Sequence, residues 1–176
     1  MIWFIYQCSS CNDVICALGL GSTRNLESPV LFLHNSKLKA QQILPKPMTL
    51  DIDLPDRPKN YLNQAIESLQ APDGAIMLAA ASIDAMLKLS GLVDGSLYVR
   101  IEKAVKTGLL TKGMSDWAHA VRLESNKPRH ADLDDPHATI EQAKQTIEFA
   151  KSLGDFLFVL PARVAAGTAA SKQALG

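Results

Sequence analysis

The sequence predicts a mainly α-helical protein, a bundle of about five helices behind a small N-terminal β segment. Three observations carry that prediction. Apolar residues recur at helical spacing from residue 56 onward, with start and stop signals between the runs. Four prolines, Pro45, Pro47, Pro55 and Pro58, separate this region from what precedes it. Before them, short β-branched and aromatic stretches flank a Cys-x-x-Cys.

The bulk chemistry narrows the function classes. Hydrophobic residues make up 47% and charged residues 20%, an ordinary globular balance that argues against wholesale disorder. Eighteen basic residues offset eighteen acidic ones, which counts against a large phosphate-tracking surface but leaves room for a small basic patch. No apolar run approaches the roughly 20 residues that span a bilayer. The opening Met1-Ile-Trp-Phe-Ile-Tyr6 lacks the basic start and small-residue cleavage site of a signal peptide. Three cysteines, two of them in the Cys-x-x-Cys, fit a reducing compartment better than a disulfide framework. The expectation is a cytoplasmic protein with no membrane partner.

Each element follows from local signals. Ile2 to Gln7 and Val14 to Leu18 read as the arms of a hairpin, with Cys8 to Asp13 as a knuckle at its tip and Val30 to Leu33 as a third strand. Residues 1–43 form this β segment, and residues 44–55 are a proline-rich linker, because proline fixes φ and removes a donor. The helical domain is assigned to 56–164. Asp56 can cap the first helix, whose face is Leu62, Ile66 and Leu69. Ala71-Pro-Asp-Gly74 interrupts it, and Asp73 can cap the second. That helix is apolar on two rows, Ile76, Ala80, Ile83, Leu87 and Leu78, Ser82, Ala85, Leu89, so it is expected at the centre, with Gly91 as its stop. Leu97 to Thr107 is the third helix, stopped by Gly108. Ser115 can cap the fourth, and Ser125 to Pro136 reads as a loop because it is polar and holds two prolines. Thr139-Ile-Glu-Gln142 has the form of a capping box opening a long fifth helix striped with Ile140, Ala143, Ile147 and Ala150, and running towards Pro161. Residues 165–176 are expected to be a flexible tail.

Three constellations could carry chemistry. Cys8 and Cys11 could supply half of a tetrahedral zinc site. The only other nearby ligands are Cys16 and His34, neither at knuckle spacing, so a partial ribbon is the plainer reading. The second is a polar cluster, His119, Arg122, Asn126, Arg129, His130 and Asp132. His119 and Arg122 share a helix face, and His130 could fold back towards them past a turn. A histidine that moves protons and an arginine that holds phosphate suit metal-independent cleavage through the RNA 2′-hydroxyl. The structural alternative, favoured on spacing alone, is a polar network with Arg122 paired to a carboxylate. The third group, His130, Asp132, Asp134, Asp135 and His137, matches no defined metal spacing, and acidic residues before a helix are favoured by its dipole. Gly19-Leu-Gly21 is too short for a nucleotide loop, and Asp84 reads as an ordinary boundary residue.

Several blocks carry a resemblance: Ala75 to Lys88, Gly95-Ser-Leu-Tyr-Val-Arg-Ile-Glu102, Trp117 to Asn126, Arg129-His-Ala-Asp132 and Phe156 to Arg163. In order and content they resemble the bacterial domain of unknown function numbered 4145, across roughly 55–164. The resemblance implies a HEPN-like helical domain, often preceded by a zinc ribbon and found in antiphage-defence contexts. Similar proteins tend to carry an earlier cysteine pair, so the knuckle here is expected to be a truncated ribbon. Active HEPN ribonucleases use an arginine and a histidine, usually across a homodimer. Carried over, Arg122 and His130 would be those catalytic residues, with Asn126 between them. Seven residues separate the pair here, more than the ribonuclease motif allows, and Leu123 stands where a polar residue is usual.

The first expectation is therefore a non-catalytic HEPN-like module that dimerises and binds RNA, a nucleotide or a partner protein in a defence or stress setting. The second is a metal-independent endoribonuclease using Arg122 and His130. The third is a purely structural dimerisation domain. No cofactor is expected for the helical domain, and zinc only at the Cys8–Cys11 knuckle.

Overall fold

The computed structural model describes residues 2–7, 14–19, 40–46, 49–130, 134 and 136–174. The chain forms two compact units, Met1–Thr49 and Leu50–Gly176.

The first unit is a three-stranded antiparallel sheet in the order β1 (Ile2–Gln7), β2 (Val14–Gly19), β3 (Ala40–Leu44). The hairpin expected from residue type is present, with Ile2 opposite Gly19 and Gln7 opposite Val14. Phe4 and Tyr6, two apart and so on one face, stack with ring centroids 6.3 Å apart. Val30 to Leu33 lies outside the described residues. The third strand observed, Ala-Gln-Gln-Ile-Leu, has no β-type alternation of its own, and pairing to β2 through Cys16–Leu44 and Ala17–Ile43 supplies what local propensity lacks.

The second unit is the helical bundle: α1 (Asp56–Glu67), α2 (Pro72–Leu89), α3 (Leu97–Lys106), α4 (Lys112–His130) and α5 (Ile140–Gly154). α5 runs on through a π-turn, Asp155–Val159, into α6 (Leu160–Ala174). α2 is central, as its two apolar rows predict: it packs against α1, α3, α4 and α5, and buries Ile76, Ile83, Met86 and Leu87 completely or nearly so. Its second row is only partly inward, since Leu89 is exposed. Ser82 is buried on α2 and donates to the Pro58 carbonyl at 2.8 Å, so a small, satisfied hydroxyl joins α2 to the first turn of α1. Gly154 marks another close approach, because a Cβ there would stand 2.7 Å from Leu54 Cδ1.

Both glycine stops behave as expected. Gly91 and Gly108 have positive φ, and the next amides, Leu92 and Leu109, donate back to Leu87 and Ala104 at 3.0 and 2.8 Å. The Thr139 capping box is complete, with both reciprocal hydrogen bonds formed.

The other caps are corrected. Pro55, not Asp56, precedes α1, and Ala71, not Asp73, precedes α2. Thr111 takes the capping place expected of Ser115: its hydroxyl accepts from the Met114 amide at 3.3 Å, and Ser115 is buried one turn in. The loop expected over Ser125 to Pro136 begins later, because α4 continues to His130 with Pro128 inside it. Proline removes one donor in that last turn, but Val121 and Ser125 are buried on the inward face and anchor the helix. The fifth helix likewise passes Pro161. The π-turn immediately before it widens the backbone where the proline ring would otherwise meet the preceding turn.

The joined helix Ile140–Lys172 is long and apolar enough to cross a bilayer by length and composition. Asp155, Pro161 and Arg163 interrupt the apolar run, and Arg163 pairs with Asp51 at 2.6 Å.

Candidate functional site

Four helices of the second unit enclose a cleft of about 700 Å³. α1 contributes Arg57 and Tyr61, α2 contributes Asp84 and Lys88, the start of α3 contributes Tyr98 and Arg100, and α4 contributes Arg122 and Asn126. The alanines of α2, Ala80, Ala81 and Ala85, keep its wall low. The volume lies within the range of small-molecule sites. Among the described residues, four cationic side chains face it against one carboxylate, a local positive excess inside a neutral chain.

That excess is unevenly committed. Arg100 is buried, donates from Nη1 to Asp84 Oδ1 at 2.7 Å, and from Nη2 to the Val93 carbonyl at 3.0 Å. Lys88, one turn on from Asp84, takes the other carboxylate oxygen at 2.6 Å. Asp84 is thus the counter-ion of two cations rather than an ordinary boundary residue. Its position mid-helix among apolar residues was the available signal.

Arg122 is arranged differently. It has no carboxylate partner among the described residues, contrary to the network expected from spacing. Its guanidinium carbon lies 5.3 Å from the centre of the Tyr98 ring, a cation–π geometry. Its Nε is buried with no hydrogen-bond partner among the described residues, and so are Arg100 Nε and His119 Nδ1. What separates Arg122 from Arg100 is the lack of an acid partner among those residues. Tyr98 packs in turn on His119, with ring centroids 5.0 Å apart and planes tilted by 41°. His119 Nε2 meets Glu102 Oε1 at 2.9 Å. His119 and Arg122 do share a face of α4, and Asn126 follows one turn later at the cleft.

His130 does not join them. Because α4 continues through it, His130 sits eight residues beyond Arg122, about 12 Å along the axis at the α-helical rise. It is exposed and outside the cleft lining. The backbone of Arg129 belongs to the same last turn, and Asp132 lies outside the described residues.

No group of three His, Cys, Asp or Glu side chains able to hold a metal occurs among the described residues. Cys8, Cys11 and His34 fall outside them, and Cys16 is a free, half-buried thiol in the middle of β2. His137 Nδ1 meets Asp73 Oδ2 at 2.7 Å, while Asp73 Oδ1 accepts from the Ala138 amide at 2.9 Å. The Ala138 amide first, and His137 second, hold the Asp73 carboxyl below the usual aspartate range. A backbone amide, that of Asp53, is likewise the leading cause lowering Asp51, with Arg163 adding to it.

Sequence reasoning singled out Arg122, His119 and Asn126 but missed Arg57, Tyr61, Tyr98 and Arg100 as cleft residues. Tyr98 and Arg100 stand on a short amphipathic helix at positions that its 3.6-residue period alone leaves ambiguous.

Fold and cleft define a helical domain with a cationic pocket between its helices. The chain belongs to the DUF4145 family, described as a domain of unknown function, whose pattern matches residues 63–172. That span begins inside α1 and includes α2 to α5, so it holds most of the cleft. Comparison with curated proteins and with solved structures finds no match.

Proposed function

We propose that this chain is a non-catalytic, HEPN-like binding module whose helical cleft takes a phosphate-bearing ligand, a short stretch of RNA or a nucleotide, in a bacterial defence or stress setting. The observation that carries this reading is Arg122: a half-buried guanidinium beside an aromatic ring in a cationic cleft, without an acid to neutralise it among the described residues. Such a group is what a phosphate oxygen would engage. Neutral overall charge fits a local site rather than a long nucleic-acid track. A cytoplasmic setting goes with this reading, in keeping with the free thiol of Cys16 and the polar interruptions of the C-terminal helix. Dimerisation belongs to the same proposal, and light scattering at micromolar concentration tests it.

The ribonuclease reading keeps one supporting observation, the same uncommitted arginine. Within one chain its proposed partner His130 is too far along α4, so cleavage would need the histidine of a second copy. One experiment addresses both readings: a labelled short single-stranded RNA is titrated with wild type and with Arg122→Ala in chelator, and its integrity is followed over time. Salt-sensitive binding lost in the variant, with intact RNA, supports the binding module. Cleavage lost in Arg122→Ala and in His130→Ala replaces it with the enzyme. If wild type neither binds nor cuts this RNA nor binds nucleoside monophosphates, or if Arg122→Ala binds as well as wild type, the cleft is not the site.

A further inference from the structure

We propose that Tyr98 and His119 are positioning residues that hold the Arg122 guanidinium ready for an oxyanion of the ligand. The inference rests on the reading of the cleft as an anion-binding site and asks what keeps its arginine in place.

An arginine side chain has many rotamers, and ordering it carries an entropic cost that some contact must offset. Arg100, in the same cleft, is ordered by two oxygen acceptors, Asp84 and the Val93 carbonyl. Arg122 has neither kind among the described residues. The contact it does have is the ring of Tyr98 at 5.3 Å. An exposed tyrosine is itself mobile, and Tyr98 is half exposed, so the ring needs a backstop. His119 supplies one at 5.0 Å, and Glu102 fixes the imidazole at 2.9 Å. The contacts therefore run Glu102, His119, Tyr98, Arg122, alternating between α3 and α4.

Sequence spacing makes this array possible. Tyr98 and Glu102 are four apart on α3, and His119 and Arg122 are three apart on α4, so each pair lies on one helix face. Where the faces meet, the Tyr98 ring, backed by His119, becomes the floor under the guanidinium. A ring restrains the cation without neutralising it. A carboxylate in the same place would compete with the ligand, as Asp84 does for Arg100. The planar fork, with no acid partner among the described residues, can meet two oxygens of one phosphate. This explains why, among the described residues, the cleft arginine built against a ring is also one with no acid partner.

The test uses the labelled RNA of the binding experiment, with the full chain. Tyr98→Leu should weaken binding about five- to tenfold. Tyr98→Phe, which keeps the ring, should bind within about twofold of wild type. His119→Leu should fall between them. An independent readout needs no ligand: ¹⁵N relaxation of the Arg122 Nε–H should show a mobile side chain in Tyr98→Leu and an ordered one in Tyr98→Phe. If Arg122→Ala abolishes binding while Tyr98→Leu binds like wild type and leaves Arg122 ordered, the positioning role is wrong and the cleft stands. If Tyr98→Phe loses as much as Tyr98→Leu, the hydroxyl rather than the ring matters, and the proposal also fails. Absence of binding by wild type overturns the cleft reading and this inference with it.

Discussion

Arg100 and Arg122 reach one cleft from neighbouring helices, yet their surroundings differ in kind. Arg100 is buried, and its charge is matched by Asp84 and capped by a backbone carbonyl. Arg122 is half-buried over Tyr98 with no acid partner among the described residues. Burying an ion is costly unless a partner compensates, so Arg100 is arranged as a structural ion. Arg122 has no such partner among the described residues, and the proposed binding role rests on that difference. The difference teaches that charge in a cleft has to be divided by partner before it is read as function. Of the four lining cations, Arg100 and Lys88 share Asp84. Arg57 and Arg122 form no ion pair among the described residues.

The sharpest test of this contrast removes the shared acid. Asp84→Ala leaves Arg100 buried without its counter-ion and should cost about 2–3 kcal/mol in urea unfolding. A loss within about 0.5 kcal/mol would erase the distinction between the two arginines. Arg122→Ala should behave in the opposite way. Its stability should stay within about 0.5 kcal/mol of wild type, while phosphate-ligand affinity falls by about ten- to a hundredfold, the worth of a charge-assisted contact. A double-mutant cycle refines the comparison: Asp84→Ala and Arg100→Ala should couple by about 1 kcal/mol or more, and Asp84→Ala and Arg122→Ala by less than about 0.5 kcal/mol. Lys88→Ala removes the exposed partner of a half-buried carboxylate one turn away and should cost only about 0.3–0.5 kcal/mol.

The smallest effect is a baseline outside the cleft. Asp73 is held below the ordinary aspartate range by the Ala138 amide and His137. A lowered folded-state value means that the unfolded chain binds the proton first as pH falls. The stabilisation is therefore complete above the unfolded aspartate value and fades as pH drops below it, through the lowered folded value. Asp73→Asn should flatten that acid limb in pH-dependent thermal unfolding, and a limb unchanged from wild type would assign the acid sensitivity elsewhere.

The elements most legible in the sequence are those defined within a turn or two of chain. The Thr139 capping box, the glycine stops at Gly91 and Gly108 and the central apolar helix all appear where periodicity and cap chemistry put them. The end of α4 was not legible. Pro128 and its polar neighbours read as a loop, but burial of Val121 and Ser125 outweighs one lost hydrogen bond. That extension also separates His130 from Arg122, which a turn would have allowed to converge.

Composition, period and caps determined by themselves that this chain is mainly helical, that α2 is central, and that Arg122 shares a face with His119. These depend on interactions a few residues apart, which the order of side chains specifies directly. Only the tertiary structure decided which arginine is neutralised. Arg100 meets Asp84 across 16 positions, and Arg122 meets a ring 24 positions away, on another helix. The environment of a charge is made by whatever packing brings to it, and packing joins residues without regard to their distance along the chain.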